Sequence, residues 1–474
     1  MTTGAPVFSV DEILSACGGR LVSGRGEDRL SGVSTDTRAI EKGNLFVALK
    51  GDRFDAHDFL TQAVDQGARA LVVAEDRAAL APSAPGIAVV AVPDTLRALG
   101  DLAHAHRMKF HPTVIGLTGS SGKTTTKEML AAILSAGKNV LKTEGNLNNL
   151  IGVPKTLLRL SGGHDLAIVE MGTNTPGEIA RLTAITDPDI GLITNVGPAH
   201  LAGFGSLDAV REEKGSLFMN LRPSACAVVN IDDEAIRVIA QRWPGRQVTF
   251  GMGADADVGA KNIQKRGVRG VRFELVMGGS ELTVEMKITG IHHIYNAMAA
   301  AAAAWAAGVD PEGVRSGLAA FSPVAGRMDM IELACGAYLI DDSYNANPAS
   351  VREALLALKD LKDGHRAYVV LGDMLELGEA AVDLHRRIGR IVATIGVTAV
   401  LLRGDFAGDI AAGAREGGMS EDQIIVFDHE EEALRLLASR VQKGDWILVK
   451  GSRAMKMDRV AAVIREHFGT GPVS

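Results

Sequence analysis

The segment Thr113-Val-Ile-Gly-Leu-Thr-Gly-Ser-Ser-Gly-Lys-Thr-Thr-Thr126 constrains this chain more than any other. A β-branched run from Thr113 to Leu117 predicts a buried strand, and Lys127 to Ser135 predicts a helix. The glycines between them permit a tight turn whose backbone N–H groups face inward. Such a turn at a helix N-terminus attracts anions, because unpaired N–H groups and the helix dipole both favour negative charge. Gly119, Ser120, Ser121 and Gly122 form the cradle, Lys123 reaches the outer phosphates, and the Thr124 or Thr125 hydroxyl is placed to ligate Mg²⁺. The general phosphate-loop pattern has a glycine five residues before Gly122, where this chain has Leu117. A plain glycine-rich turn with an exposed lysine is the alternative, but strand, glycines, Lys-Thr and helix follow in the order the phosphate mechanism requires.

Such a loop implies an α/β sheet, and the length leaves room for more than one. A chain of 474 residues divides into three domains at a typical ~150 residues each. With 46% hydrophobic and 23% charged residues it reads as globular, not disordered. A net charge of −7 argues against a surface for nucleic acid and toward small-molecule partners. The opening Met-Thr-Thr-Gly-Ala-Pro lacks the basic and apolar regions of a secretory signal. No apolar run approaches the ~20 residues of a membrane span, so a cytoplasmic location is expected. Cys17, Cys226 and Cys335 have no metal-ligand spacing and are read as reduced and structural, with no zinc site expected. Ala297 to Ala307 reads as a tightly packed helix.

Residues 1–108 read as a small α/β domain, with a helix over 10–16, strands over 44–49 and 70–74, and a helix over 59–66. Its polar stretches, Ser34-Thr-Asp-Thr-Arg38 and Lys50-Gly-Asp-Arg-Phe-Asp-Ala-His57, are explained by turn chemistry alone. Residues 109–323 form a central domain. Its runs at 165–172, 190–200 and 225–233 are apolar and end in polar residues, the mark of a parallel sheet covered on both faces. Ligands bind at the carboxyl ends of such strands, where Glu170, His200 and Asn230 fall on the same edge as the loop. A carboxylate there can take Mg²⁺. Lys214, in Glu-Glu-Lys-Gly, reads by itself as a solvated charge on a helix. Residues 324–474 form a third, Rossmann-like doubly wound unit, with strands over 337–342, 367–372, 399–402, 424–427 and 446–450. No Gly-x-Gly-x-x-Gly follows a strand there, so a dinucleotide has little support. Nothing suggests a coiled-coil or other dimer seam, and a monomer is expected.

The combined pattern resembles the Mur ligase family across the whole chain. The marks are the loop at 118–125, Thr194-Asn-Val-Gly-Pro-Ala-His200, Gly290-x-His292 with Asn296, and Gly326-Arg327. Asp341-Asp-Ser-Tyr-Asn-Ala-Asn-Pro348, Leu371-Gly-Asp-Met-Leu-Glu-Leu-Gly378 and Val449-Lys-Gly-Ser-Arg-Ala-Met-Lys456 point to the branch that uses D-alanyl-D-alanine. The resemblance implies an ATP-dependent amide ligase of peptidoglycan precursor synthesis. ATP would phosphorylate the terminal carboxylate of UDP-N-acetylmuramoyl-tripeptide, and the D-alanyl-D-alanine amine would displace phosphate. It implies that Thr124 and Glu170 serve one Mg²⁺ and His200 a second, and that Lys214 carries a CO₂-derived carbamate that also binds Mg²⁺. Arg327, Asp342 and Asn345 would close the third domain over ATP, and Asn296 would lie near adenine. Ser34, Thr35, Arg38, Lys50, Gly51 and His57 would bind the UDP-sugar; Asn146 and Asn149 would face the sugar-peptide. His293 stands where the family commonly has asparagine and is left out of the site.

Rival readings remain. One is another ligase of the family, acting on a different UDP-peptide or on a folate. A GTP switch should carry Asn-Lys-x-Asp, which is absent, and a small-molecule kinase rarely needs this much chain. Lysine and diaminopimelate at the third position of the tripeptide stay equally open.

Overall fold

The computed structural model describes residues 7–471 apart from Asp52, Ala199 and Ala254. The N-terminal segment read above for targeting, Asp52 of the second polar stretch and Ala199 of the Thr194–His200 motif therefore lie outside the described residues.

The chain folds into three α/β domains, each with its own sheet. In the first, strands Val33–Ser34, Leu45–Val47, Ala70–Ala74 and Ala88–Val92 run parallel, and Arg20–Ser23 closes the edge antiparallel. The helix Thr95–Arg107 then leads toward the central domain, where it packs on Glu178–Thr186. Gly100 permits this approach, since a Cβ there would crowd Ile185 and Arg181. One apolar cluster joins Phe8, Leu99 and Leu102 to Val114, Leu157 and Leu182, so the first domain and one face of the central sheet share a core.

The central sheet has nine strands, with Thr113–Thr118 between Leu166–Glu170 and Ile190–Ile193. Those strands, together with Val140–Lys142, Cys226–Asn230 and Arg246–Phe250, are parallel. The expectation of a purely parallel sheet is corrected at its far edge, where Val258–Lys265, Val271–Met277 and Ser280–Met286 form an antiparallel meander. The physical reason is local. These strands alternate buried and exposed residues, and Gly278 and Gly279, both at positive φ, make a two-residue hairpin turn between them.

Register puts the site together, for Glu170 pairs with Leu117 and Ile193 with Thr118, aligning three strand ends beside the glycine loop. The helix after the loop, Lys123–Leu134, begins four residues earlier than the apolar pattern indicates, because Gly122 turns the chain directly into it. Against it lies Ile291–Ala306, whose alanines from Ala297 to Ala304 are all buried and let the two helices approach. The third domain is parallel across Tyr338–Asp342, Trp446–Lys450, Ala367–Gly372, Ala399–Arg403 and Ile424–Val426, with Asp329–Glu332 antiparallel at one edge. Its two apolar clusters contain no residue of the other domains. The cysteine expectation holds for packing at Cys17 and Cys226 but is corrected at Cys335, which is exposed.

Candidate active site

A cavity of about 870 Å³ opens between the central and third domains. The glycine loop forms its floor. Gly119 and Gly122 both have positive φ, and a Cβ at either would overlap Thr194 Oγ1 or Asn296 Oδ1. The Thr194–Gly197 segment holds the loop in shape. Ser120 N donates to Asn195 O (3.0 Å), Ser121 N to Asn195 Oδ1 (2.9 Å) and Thr194 Oγ1 to Ser121 O (2.7 Å). These bracing roles of Thr194 and Asn195 were not assigned from the sequence, although their motif was noticed. Asn230 is likewise part of the frame, donating to Thr194 O at 3.1 Å.

Lys123 turns its Nζ back onto Gly119 O at 2.7 Å. Burial pushes its ammonium below the ordinary lysine range, Glu170 opposes that shift and Arg327 adds to it. An enclosed cation with only a carbonyl for company is ready for an anionic ligand. Thr124 Oγ1 donates to Glu170 Oε2 at 2.9 Å, and Asn148 Nδ2 to Glu170 Oε1 at 2.9 Å. Behind them the fully buried Lys127 stands 3.6 Å from Glu170 Oε2 and donates to Thr143 O at 2.7 Å. The Thr124 hydroxyl and the Glu170 carboxylate are hard oxygen donors side by side on the cavity wall, a set that suits Mg²⁺. Asn148 and Lys127 were missed, since neither belongs to a strand end or to the loop.

Asn146 and Asn149 both line the cavity, and Asn149 Oδ1 also accepts from Ile151 N and Gly152 N (3.1 and 2.8 Å), starting the next helix. His200 lines it as well, in a left-handed conformation at φ 55°. Its Nδ1–H donates at 2.5 Å to Glu376 Oε2 of the third domain, a bond that holds the glutamate below its usual range.

Lys214 overturns the reading of a solvated charge. On the helix Leu207–Met219 it is 1% exposed, and its Nζ has no hydrogen-bond partner among the described residues. Burial first and the Lys123 charge second push its ammonium well below the ordinary range, against a smaller pull from Glu213 and Glu178. The Glu213 carboxylate is already engaged by Gly177 N (2.7 Å), Ile179 N (2.8 Å) and Thr173 Oγ1 (3.1 Å). Lys214 does not line the cavity.

The third domain supplies the roof. Asp342 accepts from Met328 N (3.1 Å) and from Lys450 Nζ (2.6 Å), and Lys450 also donates to Asn345 O (2.9 Å). Arg327 lies over the Tyr344 ring at 4.1 Å. Asn347 Nδ2 donates across the cleft to Ser120 O at 3.3 Å. Ser120, Ser121, Gly122, Lys123, Thr124, Thr125, Asn296, Arg327, Asp342 and Asn345 thus meet on one cavity, whereas Gly119 lies just beneath it. His293 is on the wall too, its Nδ1–H donated to Thr289 O at 2.7 Å, and burial keeps its imidazole neutral near pH 7.

None of Ser34, Thr35, Arg38, Lys50, Gly51 and His57 lines this cavity. Ser34 Oγ donates to Asp36 O (2.8 Å) and Arg38 pairs with the Asp36 carboxylate (2.7 Å), which is held at about 2 with Lys155 of the central domain adding to the effect. His57 is buried with both ring nitrogens engaged, Nδ1–H on Asp55 Oδ1 at 2.5 Å and Nε2 accepting from Ala74 N at 3.0 Å. Gly51 N donates to Phe54 O at 2.9 Å, closing the loop that carries Lys50.

Three family descriptions match the chain: "Mur ligase family, catalytic domain" over residues 29–107, "Mur ligase middle domain" over 117–304 and "Mur ligase, glutamate ligase domain" over 326–453. The UDP-N-acetylmuramoyl-tripeptide--D-alanyl-D-alanine ligase of Escherichia coli (strain K12) is 39% identical, covering 92% of this chain and 94% of that protein. The crystal structure of MurF from Acinetobacter baumannii superposes with a TM-score of 0.88 at 34% identity, over 98% of this chain and 99% of that one. MurF ligase from Thermotoga maritima in complex with ADP gives 0.82 at 30% identity, over 92% and 97%.

Proposed function

This chain belongs to the Mur ligase family, and from that premise we infer an ATP-dependent ligase that joins D-alanyl-D-alanine to UDP-N-acetylmuramoyl-tripeptide, giving the pentapeptide precursor of peptidoglycan, ADP and phosphate. The observation that carries the reading is the meeting of a phosphate loop, an oxygen pair and a cationic roof on one cavity. A carboxylate is a poor electrophile until one of its oxygens becomes part of a good leaving group. Attack of the tripeptide carboxylate on the γ-phosphorus, with loss of ADP, supplies that group. The amine of D-alanyl-D-alanine then forms the C–N bond as the C–O bond to phosphate breaks, and its proton leaves to solvent.

Bringing a carboxylate against a triphosphate requires concentrated positive charge. Lys123 holds the β- and γ-phosphates, its hydrogen bond to Gly119 O being to a neutral acceptor that leaves further donors for them. The backbone N–H groups from Gly122 to Thr125, at the start of the helix, cradle the rest, and Asn296 meets the adenine side. Arg327 approaches from the roof, while Asp342 and Asn345, tied to Lys450, hold the nucleoside end in the closed arrangement. Thr124 and Glu170 hold one Mg²⁺ and His200 a second, and bound Mg²⁺ supplies charge that offsets the crowding of anions. Lys214 suits carbamylation because it is an unpartnered amine kept neutral by burial: its lone pair attacks CO₂, an N–C bond forms and one proton is released. Full activity of Lys214→Ala at limiting Mg²⁺ would sink the carbamate.

The first domain binds the UDP-sugar through the turns at 34–38 and 50–57, with His57 fixing the second turn from inside, and Asn146 and Asn149 face the sugar-peptide. Residues 324–474 bind D-alanyl-D-alanine and close over ATP. The enzyme acts as a monomer, in the cytoplasm where its nucleotide substrates are. Among the described residues no helix is long and apolar enough to cross a membrane.

The test is phosphate release from ATP with Mg²⁺ and UDP-N-acetylmuramoyl-tripeptide, with and without D-alanyl-D-alanine, and the product mass. Release requiring both, with a pentapeptide product, is expected. Release indifferent to D-alanyl-D-alanine overturns the assignment.

A further inference from the structure

We propose that Glu376 is a positioning residue for His200, delivered across the domain boundary when the third domain docks. The proposal rests on the reading of His200 as a metal-side imidazole.

The loop that carries Glu376 is built for presentation. It leaves the strand Ala367–Gly372, and the three residues before Glu376 are anchored within the third domain. The Asp373 carboxylate accepts from Asp405 N (2.8 Å) and Phe406 N (3.2 Å), while Asp373 O accepts from Ser452 N (2.9 Å). Met374 N donates to His385 Nε2 (2.9 Å) and Leu375 N to Ser452 Oγ (2.8 Å). His385 is fixed in turn, with Nδ1–H on Ala381 O (2.7 Å) and its ring stacked on Phe406.

Glu376 alone turns away from this brace, in a left-handed conformation at φ 63°, and meets the central domain twice. Its carbonyl accepts from Ala202 N at 3.0 Å and its Oε2 from His200 Nδ1–H at 2.5 Å. His200 is itself left-handed at φ 55°, so two non-glycine residues hold an uncommon backbone conformation on opposite sides of one contact. Gly378 continues the seam, lying against Ala202 where a side chain would press on its backbone.

An exposed carboxylate–histidine pair by itself is worth little, and the Glu376 side chain is 57% exposed. What sets this pair apart is the second, backbone bond and the rigid support behind it. A carboxylate on Nδ1–H fixes the tautomer, leaves the Nε2 lone pair facing away from the glutamate, and orients the ring. Because Glu376 belongs to the third domain, His200 acquires this orientation only in the docked arrangement. Docking and completion of the metal side are thereby one event.

The test compares Glu376→Ala and Glu376→Gln with the unmodified full-length protein. Glu376→Ala is expected to raise the Mg²⁺ concentration for half-maximal ligation about tenfold or more, with the KM for UDP-N-acetylmuramoyl-tripeptide unchanged. Small-angle scattering of the protein with ADP and Mg²⁺ is expected to give a larger radius of gyration for that variant. Glu376→Gln keeps an acceptor oxygen and is expected to recover most of both. Unaltered Mg²⁺ dependence and compaction in Glu376→Ala overturn the proposal. His200→Ala separates the two ideas. Unaltered Mg²⁺ dependence there removes the metal reading of His200 and the positioning role with it, whereas a shift in His200→Ala without one in Glu376→Ala removes the positioning role alone.

Discussion

At the scale of single residues, this site is governed by where charge is left uncompensated. Glu170 is surrounded by donors from Thr124 and Asn148, with Lys127 behind it. Lys214 is the reverse, a buried amine with no partner among the described residues. The sign of its effect on stability follows directly. Its pKa lies well below the ordinary 10.5 in the folded state, so below that value the unfolded chain binds the extra proton and stability rises with pH through this window. The penalty is therefore present at neutral pH. In CO₂-free buffer, Lys214→Met is expected to stabilise the protein at pH 7 by roughly 1–3 kcal/mol, the usual cost of an unsatisfied buried polar group. The same variant should flatten the rise toward pH 10, as denaturant unfolding at both pH values would reveal. A variant less stable than the parent at pH 7 would contradict this account.

At the scale of elements, the phosphate loop is a backbone object whose shape is set by its neighbours. Gly122 has φ 77° and faces Asn296 with no room for a Cβ, and the Thr194–Gly197 segment pins the loop from the other side. Gly122→Ala is therefore expected to lower stability by about 1–3 kcal/mol and to weaken ADP binding by tenfold or more, read by calorimetric titration. Undiminished ADP affinity would mean that the loop reshapes freely. The strand, the loop and Glu170 were legible because each rests on local chemistry: a β-branched run, glycines before Lys-Thr, and a carboxylate closing an apolar run. The antiparallel edge at 258–286 was not read from the sequence, and one isolated pairing, Phe250 with Val258, joins it to the parallel sheet.

At the scale of the whole molecule, the cores divide the chain unevenly. The first and central domains share an apolar cluster running from Phe8 to Trp243, while the clusters of the third domain are its own. Contacts across the cleft are polar and few in kind, such as Asn347 to Ser120 and the exposed pair Lys265–Asp360 at 2.6 Å. Two cooperative units are therefore expected, residues 7–321 and 327–471. Scanning calorimetry should resolve two transitions, with limited proteolysis cutting first near 322–326. One two-state transition for the entire chain would overturn this division. The same asymmetry suits the proposed closure of the third domain over ATP, in which the first two stay joined.

The amino-acid order alone determined the parallel strands, the anion loop, its lysine and the family, because those depend on residues within a turn or two of one another. Tertiary structure decided which buried lysine is satisfied and which is not. Lys127 and Lys214 look alike in sequence, yet one is satisfied against Thr143 and Glu170 and the other has no partner among the described residues. It also decided that Asn148, Lys450 and Glu376 belong around the cavity, and that the turns of the first domain do not. Those outcomes depend on which helix face packs inward and which strand ends align across a domain boundary. Such contacts join residues as far apart as the 176 positions between His200 and Glu376 and the 227 between Ser120 and Asn347, separations over which local pattern carries no information.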